Sequence, residues 1–243
     1  MVLRRPWRRS VSRGTRGRAT RKPVVVVAGE DSNDRASLRV VLEALCPDMR
    51  GRIVEISDSV RLRHATGDRL TKRVATIAAK AKARAAREEA DLACIFIHED
   101  LDGPEGSTGT AIHKQVTEAV TAAFTSGHYV LAVAEIEAWL LLFPDALSSY
   151  VTGWRLPRRY LGRDTGLISD PKRVIMKEIS TSGRRYSESD APLIFRRVVE
   201  AGDLTRPAGT NHAWRRFTDD VRKCCGSHLG SAPHHRRSGR VTN

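Results

Sequence analysis

Six carboxylates stand close behind three apolar runs of this chain. Glu30, then Asp34, follow Val24-Val25-Val26-Val27-Ala28. Asp100 and Asp102 follow Ala93-Cys94-Ile95-Phe96-Ile97, and Glu135 and Glu137 follow Tyr129-Val130-Leu131-Ala132-Val133-Ala134. Carboxylates crowded together with no Lys or Arg between them repel, and a hard divalent cation with oxygen ligands is their natural occupant. The chemistry this predicts is a Mg²⁺ (or Mn²⁺) site beside a polyanion. In Asp-x-Asp at a strand end, alternation with period two points both side chains the same way. Asp100 and Asp102 then hold one or two ions whose open positions face phosphate oxygens. Such an ion polarises a phosphoryl group and stabilises a leaving oxyanion, and Glu30 takes the proton of the nucleophile. Asp34, inside a helix start, positions the loop or a water of the ion's shell. Each acid has a simpler use as a helix cap or dipole partner, so the cluster carries the reading.

The elements that must position these residues alternate. The apolar runs are short, β-rich and nearly free of polar residues, which reads as buried parallel strands. Strands are expected at 24–29, 52–57, 92–98 and 129–134. A helix from about Asp34 carries Leu38, Val41, Leu42 and Leu45 on one face, with Ser32 or Asn33 as cap and Cys46-Pro47 as its stop. A second, about 68–89, turns Leu70, Val74, Ile77, Ala81 and Ala85 inward. Its outer face bears Lys72, Arg73, Lys80, Lys82, Arg84 and Arg87, a solvated face or a phosphate contact. A third begins at Thr108 with Ile112, Val116, Val120 and Phe124 inward. A fourth opens at Glu135 with Ile136, Trp139, Leu140 and Phe143, until Pro144 breaks it. This predicts an α/β domain over 23–150, a parallel sheet with helices on both faces whose strand ends share one edge. A C-terminal helical extension over 151–222 packs on it, and 223–243 is expected to be a disordered tail.

The net charge is +14 over 243 residues, which calls for an acidic partner. Residues 1–22 hold nine Lys or Arg and no acid, a composition that predicts disorder and a nucleic-acid arm rather than a secretory signal. Aromatics are 5%, which argues against a stacking platform for single strands. No run suits a membrane helix, and a cytoplasmic protein is expected. Cys46, Cys94, Cys224 and Cys225 suggest no disulfide framework, so reduced thiols are expected, with Cys94 as plain core. Cys224-Cys225 with His228, His234 and His235 lacks the C-x-x-C spacing of zinc sites and reads as a frayed tail. His98 and His113 are acid–base candidates or structural histidines. The loop 103–109 lacks the Lys of a P-loop. Arg155, Arg158, Arg159 and Arg163 form a phosphate contact or a solvated basic loop.

A Glu after the first strand with an Asp four residues on, plus Asp-x-Asp after the third, resembles a TOPRIM domain. Glu135-Ile136-Glu137-Ala138-Trp139-Leu140-Leu141 resembles a signature of small stand-alone TOPRIM-like proteins of uncharacterised bacterial families, related to OLD-type nucleases and maturation ribonucleases. Asp170-Pro171-Lys172 and Tyr186-Ser187-Glu188-Ser189 are similar to the C-terminal part of that group. Asp31 departs from the Gly that often follows the strand-one Glu; either the turn differs or Asp31 joins the cluster. The resemblance implies a TOPRIM-like (Rossmannoid) sheet and a Mg²⁺-dependent phosphodiesterase on DNA or RNA. It further implies an ATPase partner in a defence or mobile-element setting. The alternative is a non-catalytic nucleic-acid-binding or regulatory subunit with a vestigial acidic site.

Overall fold

Four parallel strands form the sheet of the computed structural model, which describes residues 21–104 and 106–229. They are β1 (Pro23–Ala28), β2 (Ile53–Ile56), β3 (Asp91–Asp100) and β4 (Gly127–Ala132), in the order β2-β1-β3-β4. Helices α1 (Ser32–Leu45), α2 (Gly67–Arg87) and α3 (Ser107–Ala123) are the crossovers between successive strands. The chain leaves β1 toward β2 on one side and returns to β3 on the other, so the order reverses between β1 and β3. Ligands of open α/β sheets bind in the crevice at such a switch point. The register pairs Val27 with Phe96 and Ala28 with Ile97, which brings the ends of β1 and β3 level.

Alternation divides the strands between two cores. Val25, Val27, Cys94 and Phe96 face α1; Val26, Ala28, Ile95 and Ile97 face α2 and α3. The inward faces of α1 and α2 are those the periodicity predicts, with Leu38, Val41 and Leu42, then Leu70, Val74, Ile77, Ala81 and Ala85, all buried. Two local expectations change. Asp31, not Ser32 or Asn33, caps α1: its Oδ1 accepts from the backbone N–H of Asn33 (2.6 Å) and of Asp34 (3.0 Å). A cap of this kind stabilises a helix by about 1 kcal/mol. The expected fourth helix is shorter, α4 (Glu137–Leu140); the chain breaks before Pro144 as expected, and Pro144 opens a new helix, α5 (Pro144–Tyr150), because proline is favoured in a first helical turn and not in an interior.

Beyond residue 150 the described chain is mainly short helices, α6 (Pro171–Val174), α7 (Ala191–Glu200) and α8 (His212–Cys224). They lie against the α1 face, with α7 on α1 and α5 and α8 on α1 and β4. An aromatic cluster joins them to α4: Trp139 stacks on Phe217 at 5.3 Å and meets Trp214 edge-on at 5.4 Å, and Trp214 stacks on Phe195 at 6.1 Å.

The C-terminal tail and the thiols correct the sequence reading. Residues 223–229 are helical: α8 runs to Cys224 and continues as a wider turn, Cys225–Leu229, with Cys224 and Leu229 buried. Cys46 is bonded to Cys225 and Cys94 to Cys224. Partners 179 and 130 residues apart leave no spacing to read, and packing of α8 on the sheet is what brings them together. His234, His235 and the basic tail, apart from Arg21 and Lys22, lie outside the described residues. Among the described residues no helix is long and apolar enough to cross a membrane.

Candidate active site

The carboxylates occupy the C-terminal edge of the sheet at the β1/β3 switch point, and the fold places cations among them. The expectation of an acidic cluster without matching Lys or Arg is therefore corrected: Arg63, His98 and Lys172 all sit within it. The site has three adjoining parts.

The first joins Glu30 and Asp102 through Arg63. A single guanidinium nitrogen, Nη2, contacts Asp102 Oδ2 and lies 3.9 Å from Glu30 Oε1. Its Nη1 donates to the backbone carbonyl of Asp100. Arg63 comes from the β2–α2 loop, and Glu99 holds that loop in place. Glu99 follows His98 on β3 and so points to the opposite face. Its buried carboxylate accepts from Leu62 N–H (2.7 Å), Arg63 N–H (3.1 Å) and the Tyr129 hydroxyl (2.9 Å). Asp102 does not continue the alternation. Its φ of +57° is a left-handed conformation that Asp tolerates better than most residues, and it turns the side chain toward Arg63. Asp100 and Asp102 thus diverge instead of pointing the same way. Burial raises the pKa of Glu30, Arg63 opposes this, and Glu99 and Asp102 reinforce it.

The second part is buried. His98, fully inaccessible, stands between Asp34 and Asp100, with Nδ1 3.6 Å from Asp34 Oδ2 and Nε2 3.6 Å from Asp100 Oδ1. These separations exceed a good hydrogen bond, so charge holds the group together. Burial disfavours the imidazolium, but Asp34, then Asp100 and Glu30, outweigh it and lift His98 to about 9. Asp34 is lowered because His98 overcomes its desolvation. Asp100 is raised well above the carboxylate range, by burial first and then by Asp34, Glu137 and Glu30, with His98 opposing. Asp100 Oδ1 is buried with no hydrogen-bond partner. Behind His98 lies the edge of Trp139, 6.1 Å between ring centres.

The third part gathers Glu135 and Glu137 with residues far along the chain. Asp170 caps α6 by accepting from Arg173 N–H (2.8 Å), and Pro171 opens the helix. The next residue, Lys172, then has a free N–H that donates to Glu135 Oε2 at 3.2 Å. Its ammonium lies 3.6 Å from Glu135 and 2.8 Å from Glu188. Ser187 and Asp190 form a capping box, and the preceding Tyr186 donates its hydroxyl to Glu137 Oε1 at 2.9 Å. Burial, reinforced by Glu135 and opposed by Lys172, pushes Glu137 up to about 7. Lys172 is held above its ordinary pKa because the acids around it outweigh its burial.

The six acids proposed from sequence therefore line one edge, divided among three cations. Arg63, Glu99 and the link from Lys172 and Tyr186 to Glu135 and Glu137 were not assigned. Arg63 had no sequence signal, whereas Glu99 could have been read from alternation along His98-Glu99-Asp100. His113 is not part of this edge; it lines a cavity on the α3 side with His128. Arg159 and Tyr160 pair with Glu178, outside the carboxylate edge. The acids of the edge offer carboxylate oxygens, the ligand type of a hard cation, and Asp100 Oδ1, 3.6 Å from His98 Nε2, makes no hydrogen bond. Comparisons with protein-family models, curated proteins and solved structures gave no match to this chain.

Proposed function

We propose that this protein is a TOPRIM-like, Mg²⁺- or Mn²⁺-dependent phosphodiesterase acting on nucleic acid. The observation that carries the reading is the buried Asp100 carboxylate at the β1/β3 switch point, whose Oδ1 faces His98 at 3.6 Å and makes no hydrogen bond, among acids raised by desolvation. Desolvated carboxylates in excess of their counter-ions favour binding of a further cation. Asp100, Asp102 and Glu30 would hold it, with Glu135 and Glu137 on the β4 side and Asp34 steadying the group through His98. Such an ion, when bound, polarises a phosphoryl group and stabilises the leaving oxyanion. Glu30, with a raised pKa and part exposure, is suited to accept the proton of a nucleophile. Arg63, beside Glu30 and Asp102, has a planar fork suited to contact a substrate phosphate. The basic outer face of α2 extends the electrostatic footprint. An ATPase partner belongs to this proposal on the family resemblance alone.

A second reading has its own support. Arg63, His98 and Lys172 already neutralise part of the cluster, which suits a non-catalytic nucleic-acid-binding subunit. A panel of duplex and single-stranded DNA and RNA, incubated with Mg²⁺, Mn²⁺ or chelator, separates the two. Cleavage that needs the ion and vanishes in Asp100→Asn supports the enzyme. Binding that survives chelator without any cleavage rejects it.

A further inference from the structure

The cysteines meet at the opposite end of the sheet from the carboxylates. Cys94 precedes His98 by four residues on β3, about 13 Å at about 3.3 Å per residue. The sulfurs of Cys94 and Cys224 and a ring nitrogen of His128 lie within 4.8 Å of one another, and all three residues are buried. His128, near the start of β4, stacks on Phe96 at 4.7 Å. Its Nδ1 faces Asp220 Oδ1 at 3.4 Å, while Nε2 is buried without a hydrogen-bond partner. A carboxylate that holds one imidazole nitrogen orients the other toward a metal, and a buried ring nitrogen with no partner is otherwise costly. A cavity of about 360 Å³ opens here between α3, β4 and α8, lined by His113, His128, Asp220, Cys224 and His228 among others.

We propose that Cys94, Cys224 and His128 form a redox-gated site for a thiophilic divalent cation of the Zn²⁺ class, with its fourth position facing the cavity. In the structure the two sulfurs are joined, which is the closed, oxidised state. A dithiol reductant supplies two electrons and two protons. The Cys94–Cys224 bond breaks, two thiols form, and the reductant leaves as its own disulfide. Binding the cation then makes two metal–sulfur bonds and one metal–nitrogen bond and releases the two thiol protons to solvent. Two thiolates and one imidazole with an open fourth position is a known Zn²⁺ arrangement, and it disfavours Mg²⁺, which prefers oxygen. This site is therefore independent of the carboxylate edge in place and in chemistry. Cys46 and Cys225 form a separate bridge.

The test uses the full chain, reduced with a phosphine, desalted without oxygen and titrated with Co²⁺. A sulfur-to-cobalt charge-transfer band with visible bands of tetrahedral intensity should saturate at one equivalent, and the oxidised chain should show none. Cys94→Ser and Cys224→Ser should abolish the band, and Cys46→Ser should keep it. Asp220→Asn, at a part-exposed position, should weaken affinity tenfold to a hundredfold. The proposal is overturned if the reduced chain gives no band, if the band survives Cys94→Ser, if Cys46→Ser removes it, or if Asp220→Asn leaves affinity unchanged. Circular dichroism follows the fold throughout. Should reduction unfold the chain, Co²⁺ must restore the helical signal, and failure to do so also overturns the proposal.

Discussion

Replacing His98 by Asn removes the positive charge between two buried acids, and its cost depends on pH in a calculable way. The imidazole has an ordinary pKa of 6.5 and stands at about 9 in the fold. A group whose pKa is raised by folding contributes stability that is fully present below its unfolded pKa. That stability is lost as pH rises through the folded pKa. The window here is pH 6.5 to 9. At about 1.4 kcal/mol per pKa unit, the protonated His98 contributes about 3 kcal/mol at pH 6 and almost none above pH 10. Asp34, held low, stays ionised across this window while Asp100 is raised, so the figure belongs to the group of three and not to one residue. Breaking a buried ion pair by removing one partner typically costs about 3–5 kcal/mol, which agrees. Urea unfolding in chelator, at several values from pH 6 to pH 10, measures the gap between wild type and His98→Asn. The gap should be about 3 kcal/mol at pH 6 and close toward pH 10. Groups elsewhere titrate in both proteins and largely cancel. A gap that stays constant across the window would show that His98 is neutral in the fold, and the electrostatic account of the site would fail.

Asp100→Asn should leave stability in chelator unchanged or higher, because it removes a desolvated carboxyl raised well above its usual range, while abolishing any stabilisation by Mg²⁺. Asp102→Ala, which breaks an ion pair on an exposed side chain, should cost under about 1 kcal/mol; thermal melts with and without Mg²⁺ check both, and a large loss in chelator for Asp100→Asn contradicts the assignment. Glu137 has the opposite sign from an ordinary salt-bridged acid. Folding raises it from 4.5 to about 7, so stability falls by about 3 kcal/mol as pH rises from 4.5 through 7; Glu137→Gln should flatten that part of the pH–stability curve, and an unchanged curve counts against it. Deleting residues 1–22, with their nine Lys and Arg, should reduce the salt dependence of duplex DNA binding by about 0.9 in log–log slope for each phosphate the segment neutralises; an unchanged slope means the segment is no nucleic-acid arm.

What the sequence determined by itself was local and periodic. Runs such as Val24–Ala28 and Cys94–Ile97 have to be buried strands, and helices with a single apolar face between them have to cover the sheet. Parallel strands joined by crossovers place their C-terminal ends on one edge, so Glu30, Asp100 and Glu135 share it whatever the details of packing. Tertiary structure decided the balance of charge on that edge. Arg63 reaches Asp102 across 39 residues, and Tyr186 reaches Glu137 across 49. No periodicity encodes such pairs, because each depends on where a loop is held, here by Glu99 and by the caps at Asp170 and Ser187. The same holds for the thiols. Cys224 and Cys225 read as a frayed end until the apolar face of α8, with Trp214, Phe217 and Val221, buries itself against α4 and the sheet and carries both sulfurs to their partners. Alternation and helical period follow from the backbone of each segment alone, whereas ion pairs and disulfides between distant segments exist only after the cores have formed.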